Sequence, residues 1–142
     1  MSVYLDASCL IPIFVPDSHG AAMVRWVRDN QETISVSDFA AAEFAAVLSR
    51  LVRMNQLAEP VAATVLGTFD SWRSGRTQAR LTDANDIAAC DRLIRNFSLK
   101  LLVPDALHLA IAIADRTTLI TLDQRLASAA RALNQPVVVP QA

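Results

Sequence analysis

The stretch TLITLDQRLASAARALNQPVVV, residues 118–139, contains a strand, a helix and a second strand in immediate succession. The run TLITL (118–122) has the β-branched and apolar composition of a strand. The run DQRLASAARAL (123–133) is rich in good helix formers, and PVVV (136–139) predicts a further strand. Because strands that are joined by a helix pair in parallel through a right-handed crossover, this stretch predicts an α/β fold.

The same alternation extends back to the start of the chain. Further strands are predicted at SVYLD (2–6), TISV (33–36) and, with a shorter pattern, ARLT (79–82). Helices are predicted at 19–30, 38–55, 59–76, 86–97 and 104–116, with at most a short helix in the ASCLIPIF stretch (7–14). Helices between parallel strands cover both faces of a mostly parallel sheet. The 142 residues have the length of one domain, and they contain no internal repeat or linker.

Composition narrows the function classes. Hydrophobic residues make up 53% of the chain and charged residues 19%, which excludes a disordered chain. The net charge of −1 gives no overall basic signal for nucleic acid. Twelve of the 13 basic residues are arginine, whose planar fork recognises phosphate, so local patches can still serve RNA or an acidic peptide. GC-rich codon usage is the alternative explanation.

The remaining composition signals concern compartment and ligand class. Cys9 and Cys90 form no CxxC pair and read as small buried hydrophobes in a reducing compartment. Asp6 interrupts the first apolar run, so no signal peptide is expected, and ALHLAIAIA (106–114) is too short to span a bilayer. We expect a soluble, cytoplasmic protein without a membrane partner. The chain has no glycine-rich phosphate loop, which argues against a nucleotide site.

Four carboxylates come from four separate segments of this pattern. Asp6 ends the first predicted strand and Asp123 follows TLITL, so both fall on the edge of the sheet where ligands bind. Asp105 opens the apolar helix after Pro104, and Glu43 lies inside the apolar FAAAEFAAVL helix. Each acid also has a simpler explanation, because Asp105 and Asp123 are placed to cap helices, Asp6 precedes a stretch that forms at best a short helix for it to cap, and Glu43 can reach solvent at the edge of its apolar stripe.

As a set, these acids predict a metal site. No nearby base in the sequence pairs with Asp6 or Glu43, and clustered carboxylates stay ionised together only beside a cation. Hard oxygen ligands favour Mg²⁺ or Mn²⁺ over structural zinc. Ser8 and Thr121 stand two residues from Asp6 and Asp123 respectively. Each hydroxyl either orients a carboxylate, contacts a phosphate, or is an ordinary residue at the end of a strand.

The ordered set of motifs resembles the PIN domain, and within it the VapC-like toxins of type II toxin–antitoxin modules. The matching segments are VYLDAS (3–8), AAEFAAVLSR (41–50), PDALHLAIA (104–112) and LITLDQRLASAARALNQPVVV (119–139). The resemblance implies a three-layer α/β/α sandwich and an endoribonuclease that depends on Mg²⁺ or Mn²⁺. It implies catalytic and metal-binding roles for Asp6, Glu43, Asp105 and Asp123, with the contact of Asp123 often made through water. It also implies an RNA substrate, a homodimer and a VapB-like antitoxin.

Within that resemblance, the arginines are candidate contacts for RNA or for the antitoxin. One group lies beside Trp72 in SWRSGRTQAR and consists of Arg73, Arg76 and Arg80. A second group, Arg50 and Arg53, lies on the long helix that carries Glu43. A basic segment with an aromatic side chain is typical of single-stranded RNA contacts. The alternative for any one arginine is a solvated basic surface.

The two histidines do not suggest a metal-free ribonuclease. His108 lies one helical turn after Asp105, where it either hydrogen-bonds that carboxylate or, as we favour, packs in the core. His19 falls in a predicted turn. Hydrolysis by a metal-activated water does not use the 2′-hydroxyl of RNA, and it leaves 5′-phosphate and 3′-hydroxyl ends.

Two other functions compete with the nuclease. A phosphotransferase that uses Asp6 as nucleophile would need a second aspartate where this chain has Ser8, and the single lysine, Lys100, is poorly placed for a receiver-type phosphoacceptor. A non-catalytic protein- or RNA-binding module with the same fold would use its acids only as helix caps. The interior position of Glu43 argues against this second function.

Overall fold

The computed structural model describes residues 1–15 and 20–141, and within them five strands form one sheet in the order β3-β2-β1-β4-β5. All neighbouring strands pair in parallel. The strands are β1 (Ser2–Leu5), β2 (Thr33–Ser37), β3 (Gln78–Arg80), β4 (Thr118–Ile120) and β5 (Val137–Val138). The predicted parallel sheet is therefore confirmed.

Helices cover both faces of this sheet, which confirms the predicted α/β/α architecture. They are α1 (Ala7–Phe14), α2 (Gly20–Asp29), α3 (Asp38–Arg53), α4 (Glu59–Arg76), α5 (Ala84–Arg95), α6 (Val103–Asp115) and α7 (Gln124–Ala132). A single 3₁₀ turn at Phe97–Leu99 joins α5 to α6. Helix α1 contains Pro12 and is only eight residues long, as expected for that stretch. The predicted turn at His19 lies outside the described residues.

Successive side chains of β1 point into different cores. Val3 and Leu5 pack with Phe44 and Phe69 under α1 to α4, whereas Tyr4 packs with Leu109 and its neighbours under α5 to α7. This alternation follows from the period of two along a strand. Both faces of β1 are therefore covered by apolar side chains. No helix in the described ranges is long and apolar enough to cross a membrane.

The strand order creates a crevice beside β1. The chain builds the sheet outward from β1 through β2 to β3, then crosses over to place β4 on the other side of β1. At such a reversal of strand order, the loops that leave the two central strands diverge and open a ligand site. The backbone N–H of Asp6, just past β1, donates to the carbonyl of Ile120 at 3.3 Å. Asp6 therefore sits at this crevice.

Strand β4 is two residues shorter than the pattern TLITL predicted. The strand ends at Ile120, and the N–H of Thr121 still donates to the carbonyl of Val138 at 3.2 Å. The following N–H groups bond to side chains at the crevice, since that of Leu122 donates to Ser8 Oγ at 3.0 Å and that of Asp123 donates to Thr121 Oγ1 at 3.0 Å. The end of the strand is thus set by hydroxyl acceptors, which the apolar pattern could not show.

Arg80, one of the arginines weighed as contacts for RNA or for the antitoxin, is held by ion pairs within the fold. Its guanidinium donates to both oxygens of Asp86, at 2.5 and 2.9 Å, and to Asp115 at 2.8 Å. Asp86 is buried, and Arg80 keeps the pKa of its carboxyl below the usual range. The carboxyl of Asp86 also accepts the backbone N–H of Asp83, which completes a capping box at the start of α5. Arg80 therefore joins β3 to α5 and α6.

We predict that Arg80→Ala lowers the free energy of unfolding by about 3 kcal/mol, because it leaves the buried carboxylate of Asp86 without its cationic partner. Urea denaturation followed by circular dichroism measures the change. The matched control is Arg95→Ala, which removes an exposed arginine paired with Asp91 on the surface of α5. The control is expected to change stability by less than about 0.5 kcal/mol. Equal effects of the two substitutions would contradict the structural role of Arg80.

Candidate active site

The four predicted acids line one cavity of about 450 Å³ at the carboxyl edge of the sheet. Each comes from a different element, since Asp6 follows β1, Glu43 lies on α3, Asp105 begins α6 and Asp123 precedes α7. The sequence predicted only that the two acids at strand ends, Asp6 and Asp123, lie at this edge of the sheet. The fold brings Glu43 and Asp105, which lie on helices, to the same cavity. Among the described residues, no group of three or more acidic, histidine or cysteine side chains is arranged so that it could hold a metal ion as it stands. All four carboxylates line the open cavity.

Asp6 is buried, with 3% of its surface exposed, and it does not cap helix α1. It occupies the N-cap position, but its side chain accepts no hydrogen bond from the backbone of the helix. Its two oxygens instead accept hydroxyl groups, Oδ1 from Ser8 and Oδ2 from Thr121, each at 2.5 Å. Burial raises the pKa of this carboxyl, and these hydroxyl bonds counteract part of that rise. The capping alternative therefore fails for Asp6, and its carboxylate faces the cavity.

Ser8 and Thr121 orient Asp6 and also tie together the two loops that form the crevice. Ser8 Oγ lies 3.4 Å from Thr121 Oγ1, and each hydroxyl accepts one backbone N–H from the segment that follows β4. Of the three roles weighed for these side chains, orientation of a carboxylate is the one that the hydrogen bonds show.

Asp123 has two roles. Its Oδ1 accepts the backbone N–H groups of Arg125 at 2.9 Å and Leu126 at 3.3 Å, so it caps α7 as the alternative explanation proposed. Its Oδ2 forms no hydrogen bond with any described residue, and the side chain also lines the cavity. One carboxylate thus begins a helix and contributes negative charge to the site.

The pKa of Asp105 shows the effect of burial and of the neighbouring carboxylates. It lies in the first turn of α6, where the N-cap residue Leu102 provides no capping side chain. Partial burial raises the pKa of its carboxyl to about 6, and the negative charge of Asp123 adds to the rise. Smaller contributions in the same direction come from Asp6 and Glu43. The carboxylates therefore repel one another across the cavity.

Glu43 is held by a partner that the sequence analysis missed. Its Oε1 lies 2.5 Å from Nε2 of His108, and the Nδ1 atom of that imidazole lies 2.6 Å from the hydroxyl of Tyr4. His108 was weighed as a partner of Asp105 or as a packing residue. It is buried, and it bonds Glu43 across 65 residues of chain. The available signal was a glutamate on an apolar helix face, which needs a partner that sequence spacing alone does not identify.

The arginine groups occupy different surfaces. Arg50 and Arg53 line the acidic cavity, beyond Ala46 and Val47 on the same face of α3. Arg73 and Arg76, near the end of α4, line two other depressions. Only the pair on α3 is therefore continuous with the carboxylates.

Trp72, which lies in the sequence beside Arg73 and Arg76, packs inward. Its ring lies 5.3 Å from that of Phe14, edge to face, and its side chain contacts the core beneath α1 to α4. Helix α4 continues to Arg76, as predicted. Trp72 is thus a packing residue that is only partly buried, and it lines the same depression as Arg76.

Several solved structures share this fold. VapC20 of Mycobacterium tuberculosis, described as a sarcin–ricin loop cleaving toxin, matches with a TM-score of 0.70 at 14% identity, covering 89% of this chain and 94% of that one. VapBC2 of Rickettsia felis, solved with a DNA fragment from its promoter, matches with a TM-score of 0.69 at 19% identity over 97% and 98% of the two chains. A toxin–antitoxin complex from Klebsiella pneumoniae gives 0.65 at 19% identity over 98% of each chain.

Comparison of the sequence with family models identifies the family to which this chain belongs. None of the curated proteins matches the chain. The family model described as PIN domain matches residues 3–132, which include all four acids of the cavity and both strands that flank it. The resemblance inferred from the motifs is thereby confirmed, and the chain belongs to the PIN domain family.

Proposed function

We propose that this chain is an endoribonuclease dependent on Mg²⁺ or Mn²⁺ and acts as the toxin of a type II toxin–antitoxin module, with residues 1–142 forming one nuclease domain. One observation carries the proposal. Four carboxylates from four elements line a single cavity, where partial burial, together with the negative charge of the neighbouring carboxylates, raises the pKa of Asp105 to about 6. A site that serves only as a set of helix caps has no need to gather this negative charge.

The donor set fits a hard divalent cation. Every acidic ligand offers carboxylate oxygen, and the buried carboxylate of Asp6 is held in one orientation by two hydroxyls. Each Asp6 oxygen has further lone pairs beyond the one that accepts a hydroxyl. We assign Asp6, Glu43 and Asp105 as direct ligands, with Asp123 acting through water because its Oδ1 is engaged by the start of α7. When bound, the cation supplies a nucleophilic water and neutralises charge on the phosphate.

The side chains around the cavity supply the rest of the mechanism. Asp6 and Asp105 would hold the divalent cation at the crevice, where it would neutralise charge on the reacting phosphate. Ser8 and Thr121 keep the Asp6 carboxylate fixed while the charge changes, which limits the reorganisation that the reaction requires. Attack by water in line with the leaving oxygen gives 5′-phosphate and 3′-hydroxyl ends, and it cleaves without help from the 2′-hydroxyl.

The arginines on α3 extend this site along the substrate. At about 1.5 Å of rise per residue, Arg50 and Arg53 stand about 10 Å and about 15 Å along the helix axis from Glu43. Both line the same cavity as the acids. In this proposal their guanidinium groups bind RNA phosphates on one side of the scissile bond, and Ala46 and Val47 line the cavity between them and the acids. Arg73 and Arg76 remain candidate contacts for RNA or for the antitoxin on a separate surface.

The solved relatives support the partners of this proposal. One of them is a toxin described as cleaving the sarcin–ricin loop, and another is a toxin–antitoxin complex. By analogy we propose an RNA substrate, a VapB-like antitoxin and a homodimer, acting in the cytoplasm where RNA is exposed. The competing function is a non-catalytic protein- or RNA-binding module, and the experiments below separate it from the nuclease.

We predict that Asp6→Asn lowers Mg²⁺-dependent RNA cleavage by at least about 100-fold, because it removes a charged ligand that no neighbour replaces. The measurement is cleavage of total RNA by the purified protein, with sequencing of the new 5′-phosphate ends. Asp91→Asn is the control, since it makes the same change on the exposed face of α5. Cleavage that is equal in both variants would assign Asp6 a structural role, and no cleavage by the unmodified protein at any Mg²⁺ or Mn²⁺ concentration would favour the binding module.

A second prediction concerns stability without metal. The pKa of Asp105 is raised in the folded state, so its ionisation destabilises the fold as pH rises from about 4 to above 6. Asp105→Asn removes that cost, and after allowance for solvent screening we expect a melting temperature about 2–5 °C higher above pH 7. Below about pH 4 the carboxyl is protonated in both states and the difference should vanish.

Differential scanning fluorimetry across this pH range, first in EDTA and then in Mn²⁺, measures both effects. Mn²⁺ should raise the melting temperature of the unmodified protein and raise that of Asp105→Asn much less, because the variant has lost a ligand. A variant that is less stable than the parent at neutral pH in EDTA would contradict the proposed repulsion.

A third prediction addresses substrate binding. The double variant Arg50→Ala/Arg53→Ala should raise KM for a single-stranded RNA several-fold with little change in kcat, and it should reduce the dependence of log KM on log salt by about one to two. Arg131→Ala, on the exposed surface of α7, is the control. A fall in kcat alone, with the salt dependence unchanged, would place these arginines outside the RNA path.

A further inference from the structure

A chain of four polar side chains crosses the buried layer behind Glu43. From the cavity inward it runs from Glu43 Oε1 to His108 Nε2 at 2.5 Å, from His108 Nδ1 to the Tyr4 hydroxyl at 2.6 Å, and from that hydroxyl to Ser37 Oγ at 2.8 Å. Tyr4 and Ser37 are fully buried, and His108 is nearly so. A buried polar chain of this kind is costly unless each member is satisfied.

The donors and acceptors of this chain can be ordered from its two ends. Ionised Glu43 only accepts, so Nε2 of His108 carries the proton and donates it. In the neutral imidazole Nδ1 is then an acceptor, and the Tyr4 hydroxyl donates to it. The Tyr4 oxygen in turn accepts the hydroxyl of Ser37, whose oxygen accepts the backbone N–H of Ala40 at 2.9 Å. This arrangement satisfies every group, and it corresponds to the Nε2–H tautomer of His108.

The imidazole is also fixed in orientation. The ring of Phe39 lies 5.3 Å from it and the ring of Tyr4 lies 5.7 Å from it, on different elements. Glu43 itself is not immobilised by burial, because 28% of its side chain is exposed. A long side chain at such a site otherwise samples several rotamers. The direction of the Glu43 carboxylate therefore depends on its bond to His108.

We propose that His108 and Tyr4 are positioning residues for Glu43, holding its Oε1 through a fixed Nε2–H donor so that Oε2 is presented to the divalent cation. This inference rests on the proposed function for the identity of the ligand. The row of hydrogen-bonded side chains begins at Ser37, which caps the N-terminus of α3, the helix that carries Glu43. The same helix is thus held at its N-terminus and at its metal-facing side chain by one connected set of bonds.

The test is the affinity of Mn²⁺, measured by isothermal titration calorimetry on the whole chain. His108→Leu should weaken binding about 10-fold or more, which is the range found when a residue that orients a ligand is lost. His108→Gln should stay within about threefold of the parent, because its amide nitrogen takes the place of Nε2 as donor. Tyr4→Phe removes only the hydroxyl and should fall between the two.

A double-mutant cycle separates positioning from a general structural role. If His108 acts through Glu43, His108→Leu should have no further effect on Mn²⁺ affinity in the Glu43→Gln background. An equal loss in both backgrounds, or no loss in the first, would overturn the proposal. If His108→Leu does not fold by circular dichroism, the same cycle is run with Tyr4→Phe, which retains the ring that packs in the core.

A measurement without metal tests the tautomer directly. Nitrogen-15 spectra of the histidines in the metal-free protein at alkaline pH should show His108 with a protonated Nε2 and a bare Nδ1, and Tyr4→Phe should abolish that single pattern. The opposite tautomer in the parent would overturn the inference. Failure of the proposed function looks different, because the unmodified protein would then bind no Mn²⁺ and cleave no RNA while the tautomer remained as described.

Discussion

The buried carboxylate of Asp6 is the constraint around which this structure is arranged. It lies where β1 and β4 meet, the two strands that become neighbours only through the reversal of strand order. Its own N–H bonds Ile120, and its two oxygens take the hydroxyls of Ser8 and Thr121. A buried anion without such donors would cost several kcal/mol or lose its charge. The polar residues at the ends of these strands thus hold the Asp6 carboxylate in place.

The gathering of four acids in one cavity is electrostatically unfavourable for the fold. Partial burial and the negative charges of Asp123, Asp6 and Glu43 raise the pKa of Asp105. The two apolar cores on either side of the sheet, which bury Val3, Tyr4 and Leu5 of β1, stabilise the fold against this repulsion. Proteins retain destabilising charge of this kind at ligand sites. The negative charge that makes the carboxylates repel one another also attracts a cation and favours its binding.

The sequence was sufficient for features that depend on local periodicity. Alternating strands and helices predicted the parallel sheet, and the rule for strand ends predicted that Asp6 and Asp123 meet. It was insufficient where a partner is distant in the chain. Nothing in the pattern of α6 indicates that His108 bonds Glu43 or Tyr4, 65 and 104 residues away. Arg80 looked like a free arginine because Asp115, one of its two carboxylate partners, lies on another helix 35 residues on.

The choice of histidine behind Glu43 follows from the charge of the site. An arginine or lysine there would orient the carboxylate equally well, but its positive charge would offset part of the field that attracts the cation. A neutral imidazole donates one hydrogen bond and adds no charge, provided that its other nitrogen has a donor of its own. The Tyr4 hydroxyl is that donor, and burial raises its pKa so that it stays protonated. Tyr4 therefore matters to the site, although it does not line the cavity, because its hydroxyl bonds the imidazole that holds Glu43.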